Sequence, residues 1–199
     1  MKREGADYFV TFRLADSLPK EILLQYERER AERMSRLLAA KRAGRKPIDN
    51  EVLIHRDFRR KVERYLDKGA GACHLGRAEI AELVAGALRF FHKERYLLRE
   101  WVVMPNHVHV LFWPLPNYLV GEITKSWKQF TSKRAKLMLE LKDARFWQRE
   151  SFDHWVRDEK ERARITRYIR NNPVITRLCI EPADWKWSSA FHENAAATT

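Results

Sequence analysis

The stretch that decides the fold runs from Met104 to Phe112 as Met-Pro-Asn-His-Val-His-Val-Leu-Phe. Alternating residues after a Pro-Asn turn predict a β-strand, in which residues i and i+2 point to the same face of the sheet. His107 and His109 therefore share one face, and the alternate apolar residues point into a core on the other. Two imidazoles on one face can bind a single metal ion, although the same pattern also fits a half-exposed polar face.

The other histidines of the chain are scattered and form no second pair at this spacing. A structural zinc site requires four nitrogen or sulfur ligands. The two cysteines, Cys73 and Cys179, form neither a metal-binding spacing nor a disulfide framework. An open, partly hydrated metal site is therefore favoured over a closed structural one, and a reducing cytoplasm is the expected compartment.

Length, composition and charge limit the class of protein. A chain of 199 residues with 45% hydrophobic content and seven tryptophans is long and apolar enough to bury a core, as one domain with an insertion or two small domains. The net charge of +12 favours a polyanionic partner, nucleic acid before a membrane surface, although it also fits a merely solubilising surface. No apolar run approaches the ~20 residues of a membrane span, so no membrane partner is expected.

Apolar periodicity and turn residues divide the chain into predicted elements. Strands are predicted over 8–14, 95–103, 107–113 and 152–157, and helices over 20–42, 51–67, 77–92, 118–142 and 158–171, the last ending before Pro173. Without the first two helices, the order is strand, helix, strand, strand, helix, strand, helix. This order predicts an α+β fold, a ferredoxin-like sandwich whose antiparallel sheet carries helices on one face. One domain over 1–199 is expected, with a helical-hairpin insertion at about 20–68 and a tail at about 190–199.

The last predicted helix carries a tyrosine in an unusual cationic neighbourhood. Tyr168 is flanked by Arg164, Arg167 and Arg170, which would lower the cost of forming a phenolate and hold a phosphate nearby. Tyr168 also fits a tyrosine at the edge of a core. Asn172 follows one turn later, and its carbonyl oxygen is able to complete a metal site.

Two separated motifs carry a resemblance to a known family. Met104–Val110 followed by Tyr168–Val174 resembles the REP-associated tyrosine transposases, relatives of the IS200-type transposases in the HUH (His-hydrophobic-His) nuclease superfamily. The similarity extends over nearly the whole chain, including Ser126–Thr131, Phe146–Glu150 and Asp184–Ser189. It departs after Val174, where the family often continues Lys-Ala-Gly-Leu and this chain has Ile-Thr-Arg-Leu.

The resemblance implies a chemistry for these residues. His107 and His109 would hold Mg²⁺ or Mn²⁺, with Asn172 as a candidate for the third ligand, whose identity the resemblance leaves open. Tyr168 would attack a phosphodiester of single-stranded or hairpin DNA and form a 5′-phosphotyrosine intermediate. The DNA contacts expected outside the catalytic centre are Arg164, Arg167, Lys125 and Lys128. The family resemblance implies a cytoplasmic, nucleoid-associated protein acting as a monomer or homodimer.

Two other functions fit the same sequence. One is a domesticated, sequence-specific DNA-binding protein that cuts nothing, which the intact histidine pair and Tyr168 disfavour because binding alone does not require them. The other is an RNA-binding protein, which is disfavoured because the strands lack an RNP-like aromatic signature. A metal-dependent nuclease and strand transferase is therefore the leading hypothesis.

Overall fold

The computed structural model describes residues 5–142 and 145–197 and contains four strands and six helices within those ranges. The strands are β1 (Tyr8–Arg13), β2 (Tyr96–Val103), β3 (His107–Pro114) and β4 (Phe152–Trp155). The helices are α1 (Lys20–Arg42), α2 (Glu51–Leu66), α3 (Ala78–Phe90), α4 (Val120–Met138), α5 (Glu159–Ile175) and α6 (Ser189–Ala197). The strands form one antiparallel sheet in the order β2-β3-β1-β4, which confirms the predicted α+β class.

Strand β3 lies in the interior of the sheet, between β1 and β2. Its alternate residues Val108, Val110 and Phe112 are fully buried against α3 and α4. Burial of an apolar side chain of this size contributes roughly 1.5–3 kcal/mol, so the register of β3 is strongly fixed. The opposite alternation therefore places His107 and His109 together on the other face.

Helices lie on both faces of the sheet, and the prediction of a single helical face was wrong. Helices α3 and α4 cover one face, and α5 packs on the other through Ile165 and Ile169. These isoleucines meet an apolar patch of the sheet that consists of Val102, Met104 and Leu111. The second layer forms because β2 and β3 present apolar residues on both faces, a pattern typical of strands that are covered on both sides.

Helix α5 also extends further than predicted. It begins after Asp158, whose side chain accepts a hydrogen bond from the amide of Glu161, and it continues through Pro173 to Ile175. Pro173 has no amide hydrogen to donate to the Ile169 carbonyl, yet the helix continues beyond it, and the amide and the hydroxyl of Thr176 both donate to the Asn172 carbonyl, at 3.1 and 3.0 Å. Asn172 therefore lies within the helix, one turn after Tyr168.

The segment predicted as a tail from about residue 190 is helical as far as Ala197 and forms α6, while residues 198–199 of that prediction lie outside the described residues. Ala190 is buried, and the Ser188 hydroxyl accepts a hydrogen bond from the amide of Phe191. This capping contact and the buried alanine explain why the segment is helical. None of the helices within the described ranges is long and apolar enough to cross a membrane.

Helices α1 and α2 belong to a second compact unit, Asp16–Gly71, inserted between the first strand and the rest of the chain. Arg33 of α1 donates two hydrogen bonds to Asp49 and pairs with Asp57 of α2. The unit ends at Gly71, whose φ of +88° and close approach to the Asp16 carbonyl leave no room for a Cβ atom. The hairpin is therefore held by its own ion pairs and by the packing of α1 against α2.

Candidate active site

The two histidines of β3 face each other on the α5 side of the sheet. Their Nε2 atoms are 3.1 Å apart, and the exposed fractions are 1% for His107 and 0% for His109. Burial lowers the pKa of His107 to about 3, and burial together with the neighbouring His107 lowers the pKa of His109 well below its usual value. Both rings are therefore neutral near pH 7, which is the form of imidazole that binds a metal ion.

The outer nitrogens of both rings have hydrogen-bond partners. Nδ1 of His107 lies 2.7 Å from Oδ1 of Asn106, and Nδ1 of His109 lies 2.8 Å from the hydroxyl of Thr11. Because an amide oxygen only accepts, Nδ1 of His107 carries the proton, and the same tautomer suits His109 since the Thr11 hydroxyl can accept. The Nε2 lone pairs then point toward each other, an arrangement that a shared cation stabilises.

The tyrosine of α5 reaches this pair. The hydroxyl of Tyr168 lies 3.3 Å from Nε2 of His109. Phe9 of β1 stacks on the His109 ring, with centroids 5.5 Å apart, and meets the Tyr168 ring edge-on at 6.1 Å. Tyr168 is half-buried, so its ring is held in place while its hydroxyl stays at the imidazoles.

Asn172 lies on the same helix, completely buried one turn beyond Tyr168. Neither Oδ1 nor Nδ2 of its amide has a hydrogen-bond partner among the described residues. A buried amide without partners costs about 1–3 kcal/mol, so a ligand that accepts a bond from it or coordinates it would stabilise the site.

The donor set fits a hard or borderline divalent cation. Two nitrogens 3.1 Å apart can both lie at ordinary coordination distances of about 2.0–2.1 Å from one ion. No group of three His, Cys, Asp or Glu residues comes together within residues 5–142 and 145–197, so an additional protein ligand has to be of another type, such as the Asn172 amide. Nitrogen with oxygen donors and open positions suits a catalytic rather than a structural ion.

The arginines around Tyr168 differ in their surroundings. Arg170 makes a bidentate ion pair with Glu100 and a further contact with Glu193. Arg164 pairs with Glu161, and Arg167 is exposed. Arg164 and Arg167 are therefore accessible to a ligand, whereas Arg170 is occupied inside the protein, which the sequence did not indicate.

Lys125 and Lys128 do not join the histidines. They line a cleft of about 830 Å³ on the opposite face of the sheet, beside Val10 of β1. Lys128 is partly engaged by the Arg149 carbonyl and the Ser151 hydroxyl. Among the described residues that line the cleft, one is acidic, Asp153, and six are cationic, namely Lys125, Lys128, Lys133, Lys136, Arg145 and Arg149.

Sequence reasoning did not identify three residues that shape the site. Thr11 and Phe9 lie in the predicted first strand, but only the pairing of Thr11 with His109 and the contacts of the Phe9 ring with His109 and Tyr168 reveal their roles. Asn106 was visible in the Pro-Asn turn, and its side chain now contacts the ring that follows it. In the sequence, these residues were marked only by their place in an alternating strand or next to a histidine. Neither feature specifies which residue lies opposite on the neighbouring strand.

The histidines and the α5 residues of the candidate site lie in the part of the chain that is similar to known proteins. Residues 78–172, which include both histidines, Tyr168 and Asn172, match the family model described as Transposase IS200 like. One relative is a protein of Haemophilus influenzae that is provisionally named a REP-associated tyrosine transposase. It is 30% identical over 109 residues, which cover 48% of this chain and 58% of that protein. The REP-associated tyrosine transposase of Escherichia coli K12 is 29% identical over 99 residues, covering 50% and 56%.

The chain thus spans less than two thirds of the length of these relatives. A solved structure described as the REP-associated tyrosine transposase bound to a REP hairpin is similar in fold, with a TM-score of 0.55 and 18% identity over 98% of this chain and 82% of that one. The resemblance predicted from the two motifs is confirmed by these matches.

Proposed function

We propose, from the premise that residues 78–172 form an IS200-like transposase domain, that the protein is a metal-dependent nuclease and strand transferase of single-stranded, hairpin-forming DNA. The observation that carries the proposal is the 3.3 Å contact between the Tyr168 hydroxyl and the His109 imidazole. A phenol and two neutral imidazoles in one pocket suit covalent phosphoryl transfer. The solved structure of similar fold, which is bound to a REP hairpin, supports the choice of DNA.

In this mechanism His107 and His109 would hold Mg²⁺ or Mn²⁺, and Asn172 would offer an amide oxygen as a further ligand. A cation held there would supply polarisation of the scissile phosphate and stabilisation of charge on its oxygens. Asn106 and Thr11 keep the two rings in the tautomer that presents Nε2 to the pocket.

Tyr168 is the nucleophile. Its hydroxyl oxygen forms a bond to phosphorus, and the bond from phosphorus to the 3′ oxygen breaks. The phenol gives up its proton and the leaving oxygen takes one up, so the products are a 5′-phosphotyrosine and a free 3′-hydroxyl. Because the phosphodiester energy is conserved, attack by another 3′-hydroxyl reverses the chemistry and rejoins DNA without a nucleotide cofactor.

Two cationic regions are proposed to hold the DNA. Arg164 and Arg167 lie on α5 next to Tyr168 and would contact phosphates near the scissile bond. Lys125 and Lys128 lie in the basic cleft on the other sheet face and would contact the DNA backbone away from the cut. The two regions would therefore bind different parts of one substrate.

The test is an adduct assay. A labelled single-stranded hairpin oligonucleotide is incubated with the protein and Mn²⁺, and denaturing gels reveal a covalent complex. We expect the wild type and Tyr118→Phe, an exposed tyrosine outside the site, to form the adduct, and Tyr168→Phe to bind DNA without forming it. Binding without an adduct in the wild type would instead indicate a DNA-binding protein that does not cut.

A further inference from the structure

We propose that Arg170 is a positioning residue: its ion pair with Glu100, completed by α6, fixes the rotation of α5 and so places the Tyr168 hydroxyl at the imidazole pair. The proposal rests on the proposed function, because it concerns the nucleophile of that reaction. It gives a role to helix α6 and to an irregularity in strand β2, neither of which takes part in the proposed reaction itself.

The irregularity is a β-bulge. In the pairing of β2 with β3, Leu98 lies opposite Phe112 and Glu100 lies opposite Leu111, so Arg99 is an extra residue. Residues two apart on a regular strand share a face, but this bulge sends Leu98 to the α3–α4 side and Glu100 to the α5 side. A bulge re-aims side chains in this way, and here it delivers a carboxylate to α5.

The carboxylate meets the guanidinium of Arg170 in a bidentate arrangement. Nε of Arg170 donates to one oxygen of Glu100 at 2.9 Å and Nη2 donates to the other at 2.6 Å. The side chain of Glu100 is only 9% exposed. Two parallel charge-assisted bonds hold both planes in one orientation, and removal of one partner would leave a buried charge unpaired.

Helix α6 completes the network. The Ser189 hydroxyl donates to Glu100 at 2.6 Å and accepts from the amide of Trp101 at 3.1 Å. Glu193, one turn further along α6, accepts a second bond from Nη2 of Arg170 at 2.7 Å. The C-terminal helix therefore contacts both members of the ion pair.

The geometry of α5 connects this pair to the nucleophile. Residues two apart on a helix point about 200° from each other, so Arg170 faces β2 while Tyr168 faces His109 and Phe9. The tyrosine hydroxyl lies roughly 6 Å or more from the helix axis, so a rotation of about 10° displaces it by about 1 Å. A displacement of this size is able to cost about 100-fold in rate.

The experiment compares Arg170→Gln with Arg162→Gln, which removes another ion-paired arginine of the same helix. We expect Arg170→Gln to slow adduct formation at saturating DNA about 100-fold, while the dissociation constants of DNA and Mn²⁺ change less than twofold. Arg170→Lys, which keeps the charge but not the fork, would recover part of the rate. Glu100→Gln combined with Arg170→Gln would be no slower than either variant alone, and Arg162→Gln would match the wild type.

A second readout does not depend on cleavage. The fluorine resonance of 3-fluorotyrosine at position 168 reports the ring contacts with His109 and Phe9, and we expect Arg170→Gln, but not Arg162→Gln, to shift it toward the value of the unfolded chain. An unchanged resonance in Arg170→Gln would overturn the proposal, whatever the activity. So would weaker DNA binding with an unchanged rate at saturation, which would make Arg170 a DNA contact. A shifted resonance in a protein that never forms the adduct would support the positioning role and reject the proposed function.

Discussion

The hydroxyl of Tyr168 lies 3.3 Å from Nε2 of His109 within a single chain, although 59 positions separate the two residues. Strand β3 presents the imidazole and α5 presents the phenol, and both elements belong to the same compact unit. The groups proposed for catalysis therefore meet within one chain.

Mixing two inactive variants tests this arrangement. Tyr168→Phe lacks the nucleophile, and a chain with His107→Ala and His109→Ala lacks the imidazoles, so neither has both groups in one pocket. We expect an equimolar mixture, denatured and refolded together to allow exchange, to form no adduct with hairpin DNA and Mn²⁺. Adduct on the chain that retains Tyr168 would show that protomers share their sites.

Binding of Mn²⁺ should stabilise the folded protein. A ligand present at 100 times its dissociation constant adds roughly 2.7 kcal/mol to the free energy of unfolding when it binds only the native state. We expect thermal unfolding to shift upward with Mn²⁺ in the wild type and in His55→Ala, an exposed histidine of α2. Loss of the shift is expected in His107→Ala or His109→Ala, and a shift that persists in both would place the ion elsewhere.

The metal-free protein should lose stability in mild acid. The pKa of His107 is about 3 in the folded state and near 6.5 in the unfolded chain, so below about pH 6.5 the unfolded state binds more protons. As the pH falls below that value, each such histidine reduces the free energy of unfolding by about 1.4 kcal/mol per pH unit. For His107 this slope continues until the pH approaches its pKa in the folded state. Urea denaturation in EDTA between pH 7 and 4 should give a shallower slope for His107→Gln; equal slopes would contradict the burial of this ring.

The buried amide of Asn172 should oppose stability without metal and support it with metal. Asn172→Leu replaces two polar atoms that have no partner in the described part of the chain by an apolar group of similar size, so the metal-free variant should be about 1–3 kcal/mol more stable than the wild type. Its affinity for Mn²⁺ should fall at least about tenfold. Lower stability with unchanged affinity would mean that the amide has a structural partner.

The basic cleft should account for part of the salt dependence of DNA binding. Each phosphate contact contributes about 0.7–0.9 to the slope of log K against log salt concentration. Neutralising Lys125, Lys133 and Lys136 together with glutamine should lower the slope by roughly 2–3 if each lysine makes one contact. This slope is measured by fluorescence anisotropy with a labelled hairpin, over salt concentrations from low to moderate.

A control for this variant removes the same charge elsewhere. Arg77, Arg177 and Lys186 are exposed residues that do not line the cleft. Their triple glutamine variant should keep the slope of the wild type. Equal losses in the two triple variants would mean that net charge, and not the cleft, determines binding.

The alternation in β3 made half of the candidate site visible from sequence. The side chains of a strand alternate strictly, so His107 and His109 could be placed on one face and the valines on the other, as the structure has them. The antiparallel α+β class also followed from the order of elements along the chain, because a short hairpin and crossover helices leave few arrangements. These inferences depend on local periodicity, which the sequence encodes directly.

The contacts of α5 could not be predicted in the same way. Pro173 indicated a helix end, because proline disfavours the helical conformation in the residue before it, but the helix continues to Ile175. Arg170 was interpreted as a neighbour that would favour a phenolate, but its partner Glu100 is 70 residues away and faces α5 only because of the bulge at Arg99. Bulges and long-range ion pairs depend on the assembled sheet and have no periodic signal.

The interior position of β3 also limits how this gene segment can change. Substitutions between Asn106 and Phe112 alter one side chain at a time, but an inserted or deleted codon would exchange the two faces of the strand beyond it. Valines would then line the candidate site, and imidazoles would enter the apolar core beneath α4. Across homologous genes we expect this segment to tolerate amino-acid substitutions but to keep the same length.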